Sequence, residues 1–322
     1  MRQFASRDPG GTESQNLSRY ADLSFPILTV YAFLLASDSK GATSPGHGMK
    51  EMTANDDLER FQTGAAKYAS YLETPEGRLR LDLAFANLQD FLPRAAQSLR
   101  ALDIGCGTGA LSVRLARLGF HVTSLDSSQP MLDFAERAAR EAGVKARIAL
   151  KHGDAAQVAE LFDDESFDVI LCHNVLEFVE DPDAVLHDLA RALRCPSGIL
   201  SVLVRNQPGE VLKAALLNAD LVAAERTLTA AWGDESLYEG RVRLFTAESV
   251  HAMLVAASMA VIAARGVRVI SDYLPPKISR NDEYEQIFEL ERKLGRRPEF
   301  AAVARYTHFL AHLTGPVVKV GA

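Results

Sequence analysis

The sequence predicts an α/β domain, an open and mostly parallel sheet with helices on both faces. Three observations carry this. From about residue 100 to residue 205, short apolar runs alternate with amphipathic stretches of helical period. Runs such as "ALDIG", "FDVILCHNV" and "GILSVLVRN" are apolar almost throughout, as expected of strands covered on both faces. The first run ends in "GCGTG", where Gly105, Gly107 and Gly109 fall at every second position. That density calls for a sharp strand-to-helix turn that something approaches closely.

The elements follow in order. "FPILTVYAFLLA", Phe25 to Ala36, has the length of a secretory signal core, but the stretch before it is too long and carries Asp8, Glu13 and Asp22. The Ser/Gly-rich "SDSKGATSPGHG" after it reads as a linker. Residues 1–52 are therefore expected to be either a poorly ordered extension or translated upstream sequence, with a start at Met49 or Met52. Residues 53–322 are expected to form a single domain. "DDLERFQTGAAKYASYLETPEGRLRLDLAFANLQDFL" reads as an N-terminal helical lid, with Leu79, Leu83, Ala86 and Phe91 near one face. Strands are expected at "ALDIG", "HVTSLD", "ARIALKHGD", "FDVILCHNV" and "GILSVLVRN". Helices are expected at "GALSVRLARLG", "SQPMLDFAERAAREAG" and "DPDAVLHDLARALR". Such alternation builds right-handed βαβ units. Residues 208–245 interrupt it with an Ala/Leu-rich insert expected to be mostly helical. A helix at "TAESVHAMLVAAS", a strand at "MAVIAARGVRVISDYL", a charged helix at "NDEYEQIFELERKLGR" and a strand within "AAVARYTHFLAHL" complete the domain.

Composition narrows the function. Of 322 residues, 48% are hydrophobic and 24% charged, an ordinary globular balance, and no apolar run reaches membrane-spanning length. A formal net charge of −7 and a pI of about 5.7 argue against a general DNA binder. Cys106, Cys172 and Cys195 match no metal-ligand spacing and cannot all pair, which suggests a reducing, cytoplasmic setting without a metal site.

The glycine turn admits two cofactor readings. "GCGTGA" satisfies a dinucleotide fingerprint ending in Ala110, and Asp126 in "VTSLDSS" lies about twenty positions on, where a ribose-binding acid belongs. Three features favour another cofactor. Asp103 sits at the strand end, where a carboxylate orders the turn but suits a pyrophosphate badly. "HGDA" places Asp154 at the carboxyl edge of the sheet, where it can read an exocyclic amine. "FDVILCHNVLEFVEDPDAVLHDLARALRCPSGIL" supplies a fourth strand, a loop, a helix and a Pro–Gly turn. As an ordered set over residues 75–205 these segments resemble the Rossmann-like class I S-adenosylmethionine-dependent methyltransferases. The resemblance implies a cofactor site formed by Arg80, Asp103, Gly105, Cys106, Gly107, Asp126, Ser127, Met131, Asp154, Ala155 and His173. Plainer readings stand beside these. Asp126 and Asp154 are each suited to cap a helix, Cys106 to fill space, Arg80 to be a solvated helix charge and His173 to order a loop.

The tail points to an acceptor. "GVRVISDYL", "YEQIFELE" and "ARYTHFLA", with His173, Val175, Leu176 and Glu177, resemble the bacterial tRNA 5-carboxymethoxyuridine methyltransferases from about Phe61 to His312. These esterify the carboxylate of a wobble uridine, so the resemblance implies the tRNA anticodon loop as partner. Phe178, where a tryptophan is expected, and Pro275, where a charge is expected, depart from the pattern. Bases between Arg265 and Arg305 interleave with Tyr273, Tyr284 and Tyr306, a composition that suits RNA loops. Tyr273, Arg296, Arg297 and Arg305 are the candidate RNA contacts. The same stretch also reads as a solvated helix face with pairs such as Glu289–Lys293. A carboxylate with a pKa of about 4 is already ionised and needs no general base. His173 and Asn206 are then positioning candidates. A phenol, amine or carbon acceptor would want a base such as His173, and a small-molecule O- or C-methyltransferase of quinone or polyketide type is the alternative. A non-catalytic cofactor-binding module is a third reading.

Overall fold

The computed structural model describes residues 54–93, 99–235, 237 and 240–314. The expectations for residues 1–52 lie outside them. Two helices precede the sheet, α1 (Ala54–Leu72) and α2 (Pro75–Gln89). Thr74 caps α2, its hydroxyl accepting from Gly77 N at 3.1 Å, and Pro75 opens it. The glycine turn joins β1 (Arg100–Ile104) to α3 (Ala110–Arg117). The alternation continues through β2 (His121–Asp126), α4 (Gln129–Glu141), β3 (Ile148–His152), α5 (Val158–Leu161), β4 (Val169–His173), α6 (Pro182–Ala192) and β5 (Ile199–Arg205). Then come α7 (Gln207–Leu212), α8 (Leu221–Thr227), β6 (Trp232–Glu235), β7 (Gly240–Arg243), α9 (Ala247–Ala256), β8 (Met259–Val267), α10 (Tyr284–Gly295), α11 (Pro298–Ala301) and β9 (Tyr306–Leu313).

One sheet has the order β3-β2-β1-β4-β5-β9-β8, parallel from β3 to β5, with β9 antiparallel to both its neighbours. The α/β architecture is as expected, and the five parallel strands are those read from the sequence. Their apolar runs are explained by burial on both faces. Leu102, Ile104, Ile170 and Leu200 pack with Leu186 and Leu189 of α6, while Ala101, Val169 and Leu171 pack with Leu88, Leu111 and Leu115. The insert differs from its expectation. Besides α7, a π-helical turn (Lys213–Leu217) and α8, it carries the antiparallel pair β6–β7. Each of its strands has four residues, too few for a period-2 pattern to stand out beside Gly233 and Gly240.

The parallel strands end at one edge, and β1 and β4 flank the point where the order reverses, the usual crevice of such sheets. Asp126, His152, His173 and Arg205 are the last residues of β2, β3, β4 and β5. Register brings more to this edge. Tyr306 of β9 pairs with Arg205 on one side and with Val267, the last residue of β8, on the other.

The loop after β8 is held by Glu291 of α10, a buried carboxylate accepting from Val269 N (2.6 Å), Ile270 N (2.9 Å) and Ser271 N (2.7 Å). Glu291→Ala would leave three amides unpaired in the interior. It should lower the unfolding free energy by about 2–3 kcal/mol in urea denaturation, with Glu291→Gln losing less. An unchanged midpoint in the alanine variant would refute this role.

Candidate functional site

A cavity of about 870 Å³ opens at the carboxyl edge of the sheet. Its floor begins at the glycine turn, where Gly105, Gly107 and Gly109 have φ of +59°, +53° and +75°. Side chains rarely adopt that region. What approaches the turn is partly the protein itself. A Cβ on Gly105 would lie 2.5 Å from Val175 Cγ2, and one on Gly109 would lie 2.8 Å from Ala135 Cβ. Gly107 lines the cavity below the ring of Tyr68.

Asp126 ties the turn to β2. Gly107 N donates to its Oδ2 (2.8 Å) and Ser128 N to its Oδ1 (2.9 Å). Burial raises its carboxyl above the usual range, although the two amides oppose that. Ser127 and Met131 line the same wall. Asp103 and Cys106 lie beneath the turn and do not line this cavity. The Asp103 carboxylate accepts from Ser112 Oγ (2.5 Å), which shares a hydrogen bond with Ser124 Oγ (2.7 Å). Burial pushes Asp103 up to about 7. Next along the edge are His152, Asp154 and Ala155. Asp154 does act as a cap, accepting from Ala156 N at 2.8 Å while Gln157 Oε1 accepts from Asp154 N at 2.9 Å, and it lines the cavity as well.

Arg80 is not a solvated helix charge. It is 6% exposed and makes no ion pair among the described residues. Its Nη1 donates to Asn174 Oδ1 (2.8 Å) and its Nη2 to Tyr68 Oη (2.8 Å), while the rings of Tyr68, Tyr71 and Tyr306 surround its guanidinium at 5.4–5.7 Å. His173 Nε2 shares a hydrogen bond with Ser201 Oγ (2.8 Å), which shares another with His308 Nε2 (2.7 Å). Burial, reinforced by Arg80, pushes His173 down to about 3. Arg80 Nε, His173 Nδ1 and Glu177 Oε2 are buried without a hydrogen-bond partner among the described residues. The cavity wall thus has donor and acceptor capacity to spare.

The far wall gathers Arg205, Arg268, Arg305 and Tyr306. Arg205 pairs with Glu235 and lies 3.5 Å from Glu210. Arg268 pairs with Asp272 and donates to Tyr71 Oη (2.9 Å). Arg305 reaches Glu210 (3.0 Å) and Asp272 (3.1 Å). Burial alone would raise the Tyr306 phenol, but Arg80, Arg205, Arg268 and Arg305 hold it below its ordinary value. Phe61 of α1 covers the cavity and meets Phe178 edge-on, with ring centroids 5.0 Å apart.

Several sequence candidates fall elsewhere. Asn206 is buried and donates to Ala302 O (3.0 Å) and Ala304 O (2.9 Å), a clamp on the chain entering β9. Tyr273 donates to Gly209 O at 3.4 Å, outside the cavity wall. Arg296 is paired with Asp90 at 2.5 Å and Arg297 lies near Glu299, neither at the cavity. Arg265 shares Asp90, and Glu289 pairs with Arg292 rather than with Lys293. Tyr68, Tyr71, Asn174, Glu177 and Arg205 line the site without having been singled out as contacts. The i,i+3 spacing of Tyr68 and Tyr71, which sets both on one helix face, was a usable signal.

A family model described as a methyltransferase domain matches residues 102–202. The chain is 32% identical over 246 residues to the tRNA 5-carboxymethoxyuridine methyltransferase of Escherichia coli strain K12, covering 74% of this chain and 89% of that protein. It is 36% identical over 129 residues to a ubiquinone biosynthesis O-methyltransferase of Maricaulis maris, covering 40% of this chain and 49% of that one. Among solved structures, a SAM-dependent methyltransferase from Thermotoga maritima has a TM-score of 0.52 at 16% identity, covering 79% of this chain and 98% of that one, a likeness of fold.

Asp103 makes a pH prediction. Its folded pKa, about 7, stands above the ordinary 3.8. Its stabilisation is therefore fully present below 3.8 and is lost as pH rises from there through 7. Asp103→Asn cannot ionise, so denaturation between pH 5 and 7.5 should show wild-type stability falling relative to the variant. Parallel profiles would refute the assignment.

Proposed function

The chain belongs to the class I S-adenosylmethionine-dependent methyltransferases, and from that premise we propose that it esterifies the carboxylate of 5-carboxymethoxyuridine at the tRNA wobble position. The observation that carries this reading is the distribution of buried guanidinium groups. Arg80 has no carboxylate partner among the described residues, and Arg205, Arg268 and Arg305 stand together on the far wall. A cavity so lined suits two anionic groups, one on the cofactor and one on the acceptor.

The residues present fit the cofactor. Arg80, with its spare Nε, is placed to hold the amino-acid carboxylate beside Gly105 and Gly107. Asp126 is placed to accept from the ribose hydroxyls, and Asp154 from the adenine amine between Ser127, Met131 and Ala155. When bound, S-adenosylmethionine supplies a sulfonium-activated methyl group. The chain aligns the acceptor with it, and alignment alone can remove roughly 7–11 kcal/mol of barrier. No proton has to be removed from a carboxylate. His173, at about 3, stays neutral across the working range and is too weak a base to take one. The far-wall arginines orient the acceptor while Glu210, Glu235 and Asp272 temper their charge. That suits a nucleophile whose negative charge disappears in the transition state.

A small-molecule acceptor is the second reading, favoured by the Maricaulis likeness. The tRNA-modifying relative supports the first more broadly, since its match extends over 246 residues rather than 129.

Two experiments test these assignments. Arg80→Ala and Asp126→Ala should each weaken S-adenosylmethionine binding about 10- to 100-fold by calorimetry, the scale of hydrogen bonds to charged groups. Wild-type affinity in either would refute that residue's role. Labelled methyl transfer should occur to tRNA carrying 5-carboxymethoxyuridine, at a rate flat between about pH 6 and 8. No transfer to that tRNA would overturn the acceptor, and a rate rising with a base near neutrality would favour a phenol or amine instead.

A further inference from the structure

The β6–β7 pair has two faces with different content. Glu235 and Val242 line the cavity. Strand alternation puts Trp232, Asp234, Arg241 and Arg243 on the opposite face, with Asp234 across from Arg241. Trp232 pairs directly across from Arg243, and the guanidinium carbons of Arg241 and Arg243 stand 5.0 Å and 4.9 Å from the indole centroid. The tryptophan is still 41% exposed. Neither arginine forms an ion pair with a carboxylate among the described residues. Arg243 Nη2 donates to the Glu180 carbonyl at 3.1 Å.

The contrast with the basic stretch 265–305 is informative. There the cations are largely spent within the protein, Arg265 and Arg296 on Asp90, Arg280 on Glu76, Arg268 and Arg305 on Asp272. On the hairpin two guanidiniums and one carboxylate, Asp234, leave a net positive charge with no ion pair among the described residues, beside a partly exposed indole at the rim of the cavity.

We propose that this outer face of β6–β7 is a single-stranded RNA platform. The base of a nucleotide next to the methylated one stacks on Trp232, and Arg241 and Arg243 neutralise its phosphates. Any base has a π-face, so the platform fixes the register of the loop without reading its sequence. Continuity with a cavity whose far wall is rich in arginine places the platform where the loop of an anionic acceptor would pass. The inference rests on the tRNA reading above. The competing occupant is a lipid surface, because Leu221 (72% exposed) and Val222 (68% exposed) belong to the same insert.

Trp232 is the sole tryptophan of the chain, so its fluorescence reports on the platform directly. An anticodon stem-loop RNA should quench it, with saturation. Trp232→Ala should raise KM for tRNA about 5- to 100-fold, the range of one base–aromatic stack. KM for S-adenosylmethionine and Tm should stay unchanged, and Trp232→Phe should restore most of the loss. Arg241→Ala with Arg243→Ala should reduce the slope of log K against log salt by about 1.4, that is 0.7 for each phosphate released. Absence of quenching by the RNA would overturn the platform. So would an indole emission that responds to phosphatidylglycerol vesicles and not to RNA. Wobble methylation with an unaltered KM in Trp232→Ala would overturn the platform while leaving the tRNA reading standing. Quenching by the stem-loop without any wobble methylation would support the platform and remove the acceptor assignment.

Discussion

A guanidinium buried without a carboxylate is costly, and much of the site is arranged around the one at Arg80. Its solvation is replaced by a phenol, an amide oxygen and the faces of three tyrosines. Each replacement constrains something else. Tyr68 and Tyr71 require α1 to lie across the cavity. Asn174 follows β4 with φ of 55°, a left-handed conformation that asparagine tolerates better than most residues. Its amide is oriented by Glu177 Oε1, which accepts from Asn174 Nδ2 at 3.0 Å and so turns the carbonyl oxygen toward Arg80. The same Glu177 oxygen accepts from Arg205 N at 2.7 Å, linking the end of β4 to the end of β5. Tyr306 closes the circle from β9. One cation therefore couples the helical lid to three strand ends.

The ionisable groups of the cavity are paired differently along its length, which the formal net charge of −7 does not reveal. Asp126 and Asp154 line one end, and the far-wall arginines with Glu235 and Asp272 line the other. At the first end burial holds Asp126 up, and Asp103 beneath it rises further, to about 7. At the other end the arginines overcome the effect of burial on Tyr306 and pull its phenol down. These opposite shifts share one low-dielectric setting, which penalises the carboxylates for losing water and, beside the arginines, strengthens the attraction that stabilises the ionised phenol.

Much of this was legible in the sequence, and most of what was not depends on partners far apart in the chain. Strands β1 to β5 announced themselves because burial on both faces makes a strand apolar throughout. The glycine turn and Asp126 followed from local spacing. Arg305 of the far wall was a candidate, but the assembly of that wall could not be read, because Arg205 and Tyr306 meet only when β9 inserts between β5 and β8. The pairing within the basic stretch was hidden for a similar reason. Its partner Asp90 lies 175 positions from Arg265, and no window sees that pair. Asp154 shows that two readings of one residue need not exclude each other, since one oxygen caps a turn while the side chain still borders the cavity. The β6–β7 pair was hidden by brevity, its four-residue strands interrupted by glycine.

On the proposed reading, pairing state separates the two carboxylates that the cavity would hold. The cofactor's carboxylate takes no part in the chemistry and keeps its charge from binding to release. A lone cation such as Arg80 can bind it at full strength with no penalty on the rate. The acceptor carboxylate differs, because its charge vanishes as the new bond forms. Any attraction it feels in the ground state is partly lost at the transition state and raises the barrier. Arg205, Arg268 and Arg305 still offer directional donors, but Glu210, Glu235 and Asp272 already balance their charge. Such a wall holds a carboxylate's geometry more firmly than it holds its charge, which is the balance that methyl transfer to an anion requires.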